Sequence, residues 1–283
     1  MLAAQPLINL DEAYTFGSPA PGVAWSDGLI DAGTENWYHT GNTLVNGRPH
    51  LLVGCQDPEG QSIWDLVWAR DALAETYGVA LTKDASGDFL YVAAASRYGH
   101  DSTLDVVLLK VNIGDQVIEW SAVYDGPANL ADLALDIGVD ASGTGIYLTG
   151  FSQSASNGRD VLTLKYNSSG NQWWAHLEDR RGFDDLGVKL LLAKAGAGVY
   201  VTGASRESSN NWDFLTFRYD ADGVLDREIE VEASGLGLDQ PTALVRDLQG
   251  NLYVSGAAAS GNGDYDIQTI KLDSSLNLQW QDS

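Results

Sequence analysis

The sequence predicts an all-β fold, a β-propeller of five four-stranded blades. Three observations carry that reading. A set of landmarks recurs with a period near 53 residues along almost the whole chain. The composition is that of turns. Of the 39 acidic residues 29 are Asp, which favours caps and turns where Glu favours helices, and 31 of the 283 residues are glycine, against an average usage of about 7%. No segment sustains a helical period, and Gly or Pro interrupts most candidates.

The landmarks place the elements in order. Residues 1–24 form a leader in which Ile8 to Phe16 reads as one strand, expected to close the ring against the last blade, with Pro19 and Pro21 as a stiff link. The spacing of 14 residues from Asp11 to Trp25, equal to that from Asp160 to Trp174, keeps a second reading open: the remnant of a sixth unit. Five units follow, at about 25–70, 76–126, 132–181, 185–233 and 239–283. Each opens with an apolar strand A ending in Asp and Gly, as in Val79 to Gly87 and Leu135 to Gly143. Strand B reads Tyr38-His-Thr-Gly41, Tyr91-Val-Ala-Ala94, Tyr147-Leu-Thr-Gly150, Tyr200-Val-Thr-Gly203 and Tyr253-Val-Ser-Gly256, with tyrosine spacings of 53, 56, 53 and 53. Strand C keeps step at Asp105 to Lys110, Asp160 to Lys165, Asp213 to Arg218 and Asp266 to Lys271, with His50 to Cys55 as the degenerate first copy. Strand D follows a short turn and carries Trp64, Trp120, Trp174 or Trp280; the fourth unit has Arg227 instead. Reading Asp65 to Arg70 as the first strand C would leave only 40 residues to Asp105 and delete a strand, so Trp64 is assigned to strand D.

Elementary physics suits these residues to blades. Along Asp160 to Tyr166, Leu162 and Leu164 share one face while Thr163 and Lys165 share the other, and in a stack of blades both faces are covered. The turn Asn167-Ser-Ser-Gly170 offers an Asx side chain and a glycine for positive φ; its counterparts begin at Asp57, Asn112, Asp220 and Asp273. The outer tryptophan is expected to plug the gap to the next blade, where its indole N–H needs a partner.

Tyr-Val-Thr-Gly, then Asp-x-x-Thr-x-Lys-Tyr, then Asn-Ser-Ser-Gly-Asn-Gln-Trp-Trp resembles the bacterial SBBP-type β-propeller repeat, best over Asp160 to Trp174. The turn-plus-Trp element also looks like quinoprotein propeller repeats. The SBBP resemblance covers all five units. It implies a propeller in a secreted or cell-surface bacterial protein and no particular activity. The quinoprotein comparison fails on inventory, since many of those enzymes carry a vicinal disulfide over the cofactor and Cys55 stands alone.

Bulk properties exclude several functions. Sixteen basic against 39 acidic residues give a formal charge of −23, with no basic cluster, which disfavours nucleic acid and anionic membrane surfaces. No apolar run is long enough for a membrane span, and Met1 to Tyr14 lacks the basic region and apolar core of a signal peptide. A single cysteine rules out intrachain disulfides and Cys-based zinc sites. High negative charge and a closed ring lead to the expectation of a monomer.

Four groups of residues are candidates for chemistry. Glu75, Asp132, Asp185 and Asp239, at the start of the innermost strands, are expected to converge on one channel mouth, where carboxylates would suit Ca²⁺ or a cationic ligand; the plainer reading is that each caps a turn. Lys110, Lys165, Arg218 and Lys271 end strand C and are expected to pair with a neighbouring blade's Asp. The B–C loops mix aromatic, Arg and Asn residues. With unit-specific neighbours they yield a candidate ligand set of Tyr98, His100, Arg159, Arg180, Arg181, Arg206, Trp212 and Tyr265, suited to a carbohydrate or a protein or peptide segment. Asp184 beside Asp185 is a weak acid/base pair, because adjacent residues in a turn point apart. His39, His50, His100 and His176 share no spacing, and no nucleophile or phosphate-loop motif occurs. The expected function is a non-catalytic binding or scaffold propeller. The alternative is a glycan-cleaving hydrolase or lyase working at the acidic mouth, with or without a metal.

Overall fold

The computed structural model describes residues 23–98, 102–156, 158–208, 211–232, 237–259 and 264–282. Twenty strands form five antiparallel four-stranded sheets, each a meander in chain order. The first holds β1 (Val23–Ile30), β2 (Trp37–Val45), β3 (Arg48–Gln56) and β4 (Ser62–Trp68); the second β5 (Ala74–Lys83), β6 (Phe89–Tyr98), β7 (Asp105–Asn112) and β8 (Val117–Tyr124). The third holds β9 (Asp132–Val139), β10 (Gly145–Gln153), β11 (Arg159–Asn167) and β12 (Gln172–Glu178). The fourth holds β13 (Asp185–Leu192), β14 (Val199–Ser208), β15 (Asn211–Tyr219) and β16 (Leu225–Val231); the fifth β17 (Gln240–Arg246), β18 (Leu252–Ala259), β19 (Tyr265–Leu272) and β20 (Leu278–Asp282). The leader strand expected at Ile8 to Phe16 lies outside the described residues. Trp25 sits in β1 opposite Gly41, an innermost strand, so it is not the outer-strand tryptophan that the sixth-unit reading required.

Each sheet packs on the next. The inner strands β1, β5, β9, β13 and β17 touch in sequence, and β5, β9, β13 and β17 each also lie across the preceding sheet. Apolar clusters fill these gaps: Leu51, Val53, Val92 and Leu109 between the first two sheets, Val106, Leu108, Leu148 and Leu164 between the second and third. The hydroxyl of the Tyr-x-Thr-Gly strand bonds across to strand C. Thr40 donates to Leu52 O at 3.2 Å, Thr149 to Leu162 O at 3.0 Å, Thr202 to Leu215 O at 3.0 Å and Ser255 to Gln268 O at 3.2 Å. The glycine beside it answers a bulge in the inner strand. At Gly41, Gly150, Gly203 and Gly256 a Cβ would strike the carbonyl of Ala24, Leu133, Leu186 or Gln240. Asp27 and Asp136, in the bulged stretches, reach the next inner strand and accept the N–H of Leu81 at 2.9 Å and of Leu190 at 2.8 Å.

The fifth sheet differs on one face. Ile267 is 77% exposed, while its counterparts Val106, Val161 and Phe214 are 1%, 0% and 1% exposed. Those three point at a following sheet; Ile267 meets no comparable cover among the described residues. Trp280 shows the same contrast, at 42% exposed against 8% for Trp64. The first sheet presents its opposite face through the ring cluster Trp25, Trp37 and His39, with centroids 3.9 to 5.8 Å apart.

Candidate functional site

Antiparallel order puts the start of strand A, the B–C loop and the end of strand D at the same end of each sheet. The acidic set and the described residues of the ligand set therefore gather on one face, with the basic residues that end strand C at the other, and on the acidic face hydrogen bonds tie one sheet to the next. Asp132 N–H donates to Leu104 O at 2.7 Å, and Asp239 N–H donates to Trp212 O at 3.2 Å.

The acidic set is buried and turned toward the backbone. Asp132 Oδ2 accepts the Gly126 N–H at 2.6 Å, Asp185 Oδ2 the Arg180 N–H at 2.7 Å, and Asp239 Oδ1 the Ala259 N–H at 2.8 Å. Asp132 lies opposite Ser152 and Asp185 opposite Ser205. The second sheet shows Glu75 to be one residue off this position: Thr76 is opposite Ser96, and their hydroxyls are 3.0 Å apart. Glu75 instead pairs with Arg97 at 2.7 Å and accepts the Tyr77 hydroxyl at 3.1 Å. The slip arises because β5 begins two residues before its register equivalents in β9 and β13.

A second layer of carboxylates surrounds these. Asp105 and Asp125 stand beside Asp132, and one carboxylate oxygen from each of the three lies within 4.8 Å of the others. Burial pushes Asp132 up to about 6 and Asp185 up to about 6, with the hydroxyls of Ser152 and Ser205 holding each down in part. Asp160 is also raised to about 6, by burial and then by the charge of Asp179. Asp213 is raised furthest, to about 7, by burial and then by Glu230, Glu207, Asp239 and Glu232.

The ligand set is largely engaged with its surroundings. Arg180 grips Glu228 at 2.7 and 3.0 Å, and Arg181 grips Glu230 at 2.6 and 2.7 Å, both as two-point pairs. Arg181 does so from φ 116°, a region disfavoured for a residue with a Cβ. The Arg206 guanidinium lies 5.9 Å from the Phe183 and Trp212 ring centres, donates to Ser208 O at 2.9 Å and pairs with Asp184 at 3.1 Å. Arg159 stacks on Phe151 at 4.7 Å, and its N–H donates to Asp184 Oδ1 at 3.0 Å. Tyr98 and Tyr265 are exposed at the ends of β6 and β19, and His100 lies outside the described residues.

The basic position of strand C corrects the expected pairing. Lys110 pairs with Glu119 of its own sheet at 2.9 Å and covers the Phe89 ring at 3.6 Å. Lys165 donates to Ala221 O of the next sheet's turn at 2.7 Å; Arg218 lies 3.4 Å from Asp226 and donates to Ser274 O at 3.4 Å. Lys271 lies over the Tyr253 ring at 5.3 Å. The partners are same-sheet carboxylates and next-sheet carbonyls because the side chain emerges beside strand D and the following turn. Phe183 stood out in the sequence as a unit-specific residue, whereas Glu228 and Glu230 escaped the sequence reading, because no repeat position marks them.

No protein-family model matches the chain, and no curated protein matches it. Solved structures do match. The β-propeller domain of the trilobed protease from Pyrococcus furiosus, described as having an open velcro topology, superposes with a TM-score of 0.53 at 8% identity, over 91% of this chain and 71% of that one. A putative 6-phosphogluconolactonase from Bacteroides uniformis gives 0.50 at 11% identity, over 88% and 68%. The periplasmic gluconolactonase PpgL from Pseudomonas aeruginosa gives 0.45 at 14% identity, over 91% and 84%. At such identities the likeness shows the fold: this chain is a β-propeller with five four-stranded blades.

Proposed function

We propose that this propeller is a non-catalytic binding or scaffold module that takes a basic polypeptide segment on the loop face of its fourth blade. The observation that carries the reading is the exposed Phe183 ring beside Arg206 and Trp212, with Asp184 paired to Arg206, and the ion pairs Arg180–Glu228 and Arg181–Glu230 joining the loop before it to the same blade's outer strand. An exposed ring beside carboxylates held in surface ion pairs suits Lys or Arg side chains, whose stems pack on the ring while their heads compete with Arg180, Arg181 and Arg206 for the acids. The whole-chain charge of −23 would speed the encounter with a cationic partner. Membership of the SBBP repeat group, a monomeric state and a place outside a bacterial cell belong to the same proposal. They rest on the repeat motifs and the acidic surface. No helix among the described residues is long and apolar enough to cross a membrane.

The test is a fluorescence titration with a labelled Lys- and Arg-rich peptide and, in a parallel arm, neutral oligosaccharides. Saturable binding that weakens about tenfold in Phe183→Ala, and with rising salt, supports the proposal. Binding of oligosaccharide alone, or a Phe183→Ala curve matching wild type, overturns it.

A second reading, hydrolysis or elimination on a glycan, draws on Asp213, whose carboxyl is raised to about 7 and could exchange a proton near neutrality. Turnover of a glycan lost in Asp213→Asn, with the fold retained, would establish it in place of the first.

A further inference from the structure

We propose that Asp105, Asp125 and Asp132, at the junction of the second and third blades, form a binding site for one divalent cation of the hard, oxygen-preferring class, calcium foremost. Three chain segments build it: the start of β7, the residue after β8 and the start of β9. Their oxygens lie within 4.8 Å of one another. Two oxygens bound to one cation at about 2.4 Å stand at most about 4.8 Å apart, so small rotations bring all three onto a common ion.

The second observation is independent of the cluster. Asp132 is only 1% exposed, and while its Oδ2 accepts the Gly126 N–H, its Oδ1 accepts no hydrogen bond. The Ser152 hydroxyl lies nearby, but not in hydrogen-bonding geometry to Oδ1. A buried carboxylate oxygen without a donor is costly unless a cation or proton meets it. Gly126 packs directly on this carboxylate, since a Cβ there would come 2.6 Å from Oδ1 and 2.5 Å from Ser152 Oγ. Charge also balances: three carboxylates and the Arg70 guanidinium, 2.8 Å from Asp105 Oδ2, sum to −2, the complement of a divalent ion.

The next junction is a built-in control. Asp160, Asp179 and Asp185 hold the same repeat positions, and Asp160 Oδ1 and Asp185 Oδ1 likewise accept no hydrogen bond; the difference is the third carboxylate, since Asp179 is turned to the Gly182 N–H at 2.7 Å, and Arg180 replaces Gly126. Among the described residues the close grouping occurs at the first of these junctions alone.

Calorimetry and terbium luminescence on the full chain, stripped with chelator and titrated with CaCl2 or MnCl2, test the site. One equivalent is expected to bind with a dissociation constant of about 1 mM or below. Asp125→Asn, an exposed change that spares the fold, should weaken binding at least tenfold, and Asp179→Asn should leave it unchanged. Arg70→Ala should tighten it several-fold by removing a competing positive charge. Absence of saturable binding overturns the site. So does binding indifferent to Asp125→Asn, equal loss in Asp179→Asn, or no tightening in Arg70→Ala.

Discussion

Trp120 on strand β8 donates its indole N–H to Ser168 O, 3.1 Å away in the C–D turn of the next blade. The same ring lies over Gly170, where a Cβ would come within 2.9 Å of it, and Trp174 repeats the arrangement over Gly223. Gly170 and Gly223 thus serve twice, at φ 81° and 86° and as the floor under a tryptophan. Trp120→Ala should cost about 3 kcal/mol, and Gly170→Ala should also destabilise through strain at both points. Trp120→Phe, which keeps most of the packing, should cost less than Trp120→Ala. Urea unfolding of the three variants checks the order.

Where the repeat loses its tryptophan, the partner glycine is lost too. Arg227 takes the tryptophan position, and Leu276 stands in the next turn at φ 61°, 3% exposed within the cluster of Tyr200, Phe214 and Leu252. Leu276→Gly should relieve the backbone yet open a cavity, with a net loss of about 2 kcal/mol. Arg227→Trp alone should overfill the gap. The double variant should be more stable than the sum of its parts, and a double-mutant cycle by urea unfolding reads the coupling.

The uncovered face of the fifth blade gives a direct contrast. Val106→Asp, in the sealed gap between the second and third blades, should abolish folding or cost several kcal/mol. Ile267→Asp, on the equivalent but exposed position, should change stability by under about 0.5 kcal/mol. Thermal unfolding distinguishes the two. A large loss at Ile267 would show that further chain covers that face.

Asp213 makes stability depend on pH. Its folded carboxyl is raised from the ordinary Asp value of 3.8 to about 7, so between those values the folded state holds a proton that the unfolded state has released. Stability from this group falls as pH rises from about 4 through 7. Asp213→Asn should flatten that slope and leave the variant relatively more stable at pH 8 than at pH 5, by on the order of 1 kcal/mol. Buried His39 acts in the opposite sense: burial lowers it to about 4, so its contribution is lost as pH falls from about 6.5 to 4. Melting temperature against pH, for wild type and Asp213→Asn, separates the two.

Repetition made the strands readable. Tyr147, Thr149, Gly150, Asp160 and Trp174 each do one physical job that recurs in several blades, so spacing alone located them. The candidate site was legible only as residue names. Asp132 and Asp185 stood out as strand starts, but Glu75 was misplaced because a strand that begins two residues early leaves no mark in the sequence. Asp27 and Asp136 were overlooked because their role, holding the next inner strand, exists between blades.

The 29 aspartates and the 53-residue period determined by themselves that this chain folds as stacked four-stranded blades, because turn chemistry and alternation act over a few neighbouring residues. Only the tertiary structure decided which carboxylates keep company. Asp105, Asp125 and Asp132 belong to three segments of two blades, and Asp179, in the same repeat position as Asp125, is drawn away by one loop N–H. Side-chain direction at a junction depends on packing from both sides. That packing turned a repeated acidic pattern into one three-carboxylate cluster and left the rest to cap turns.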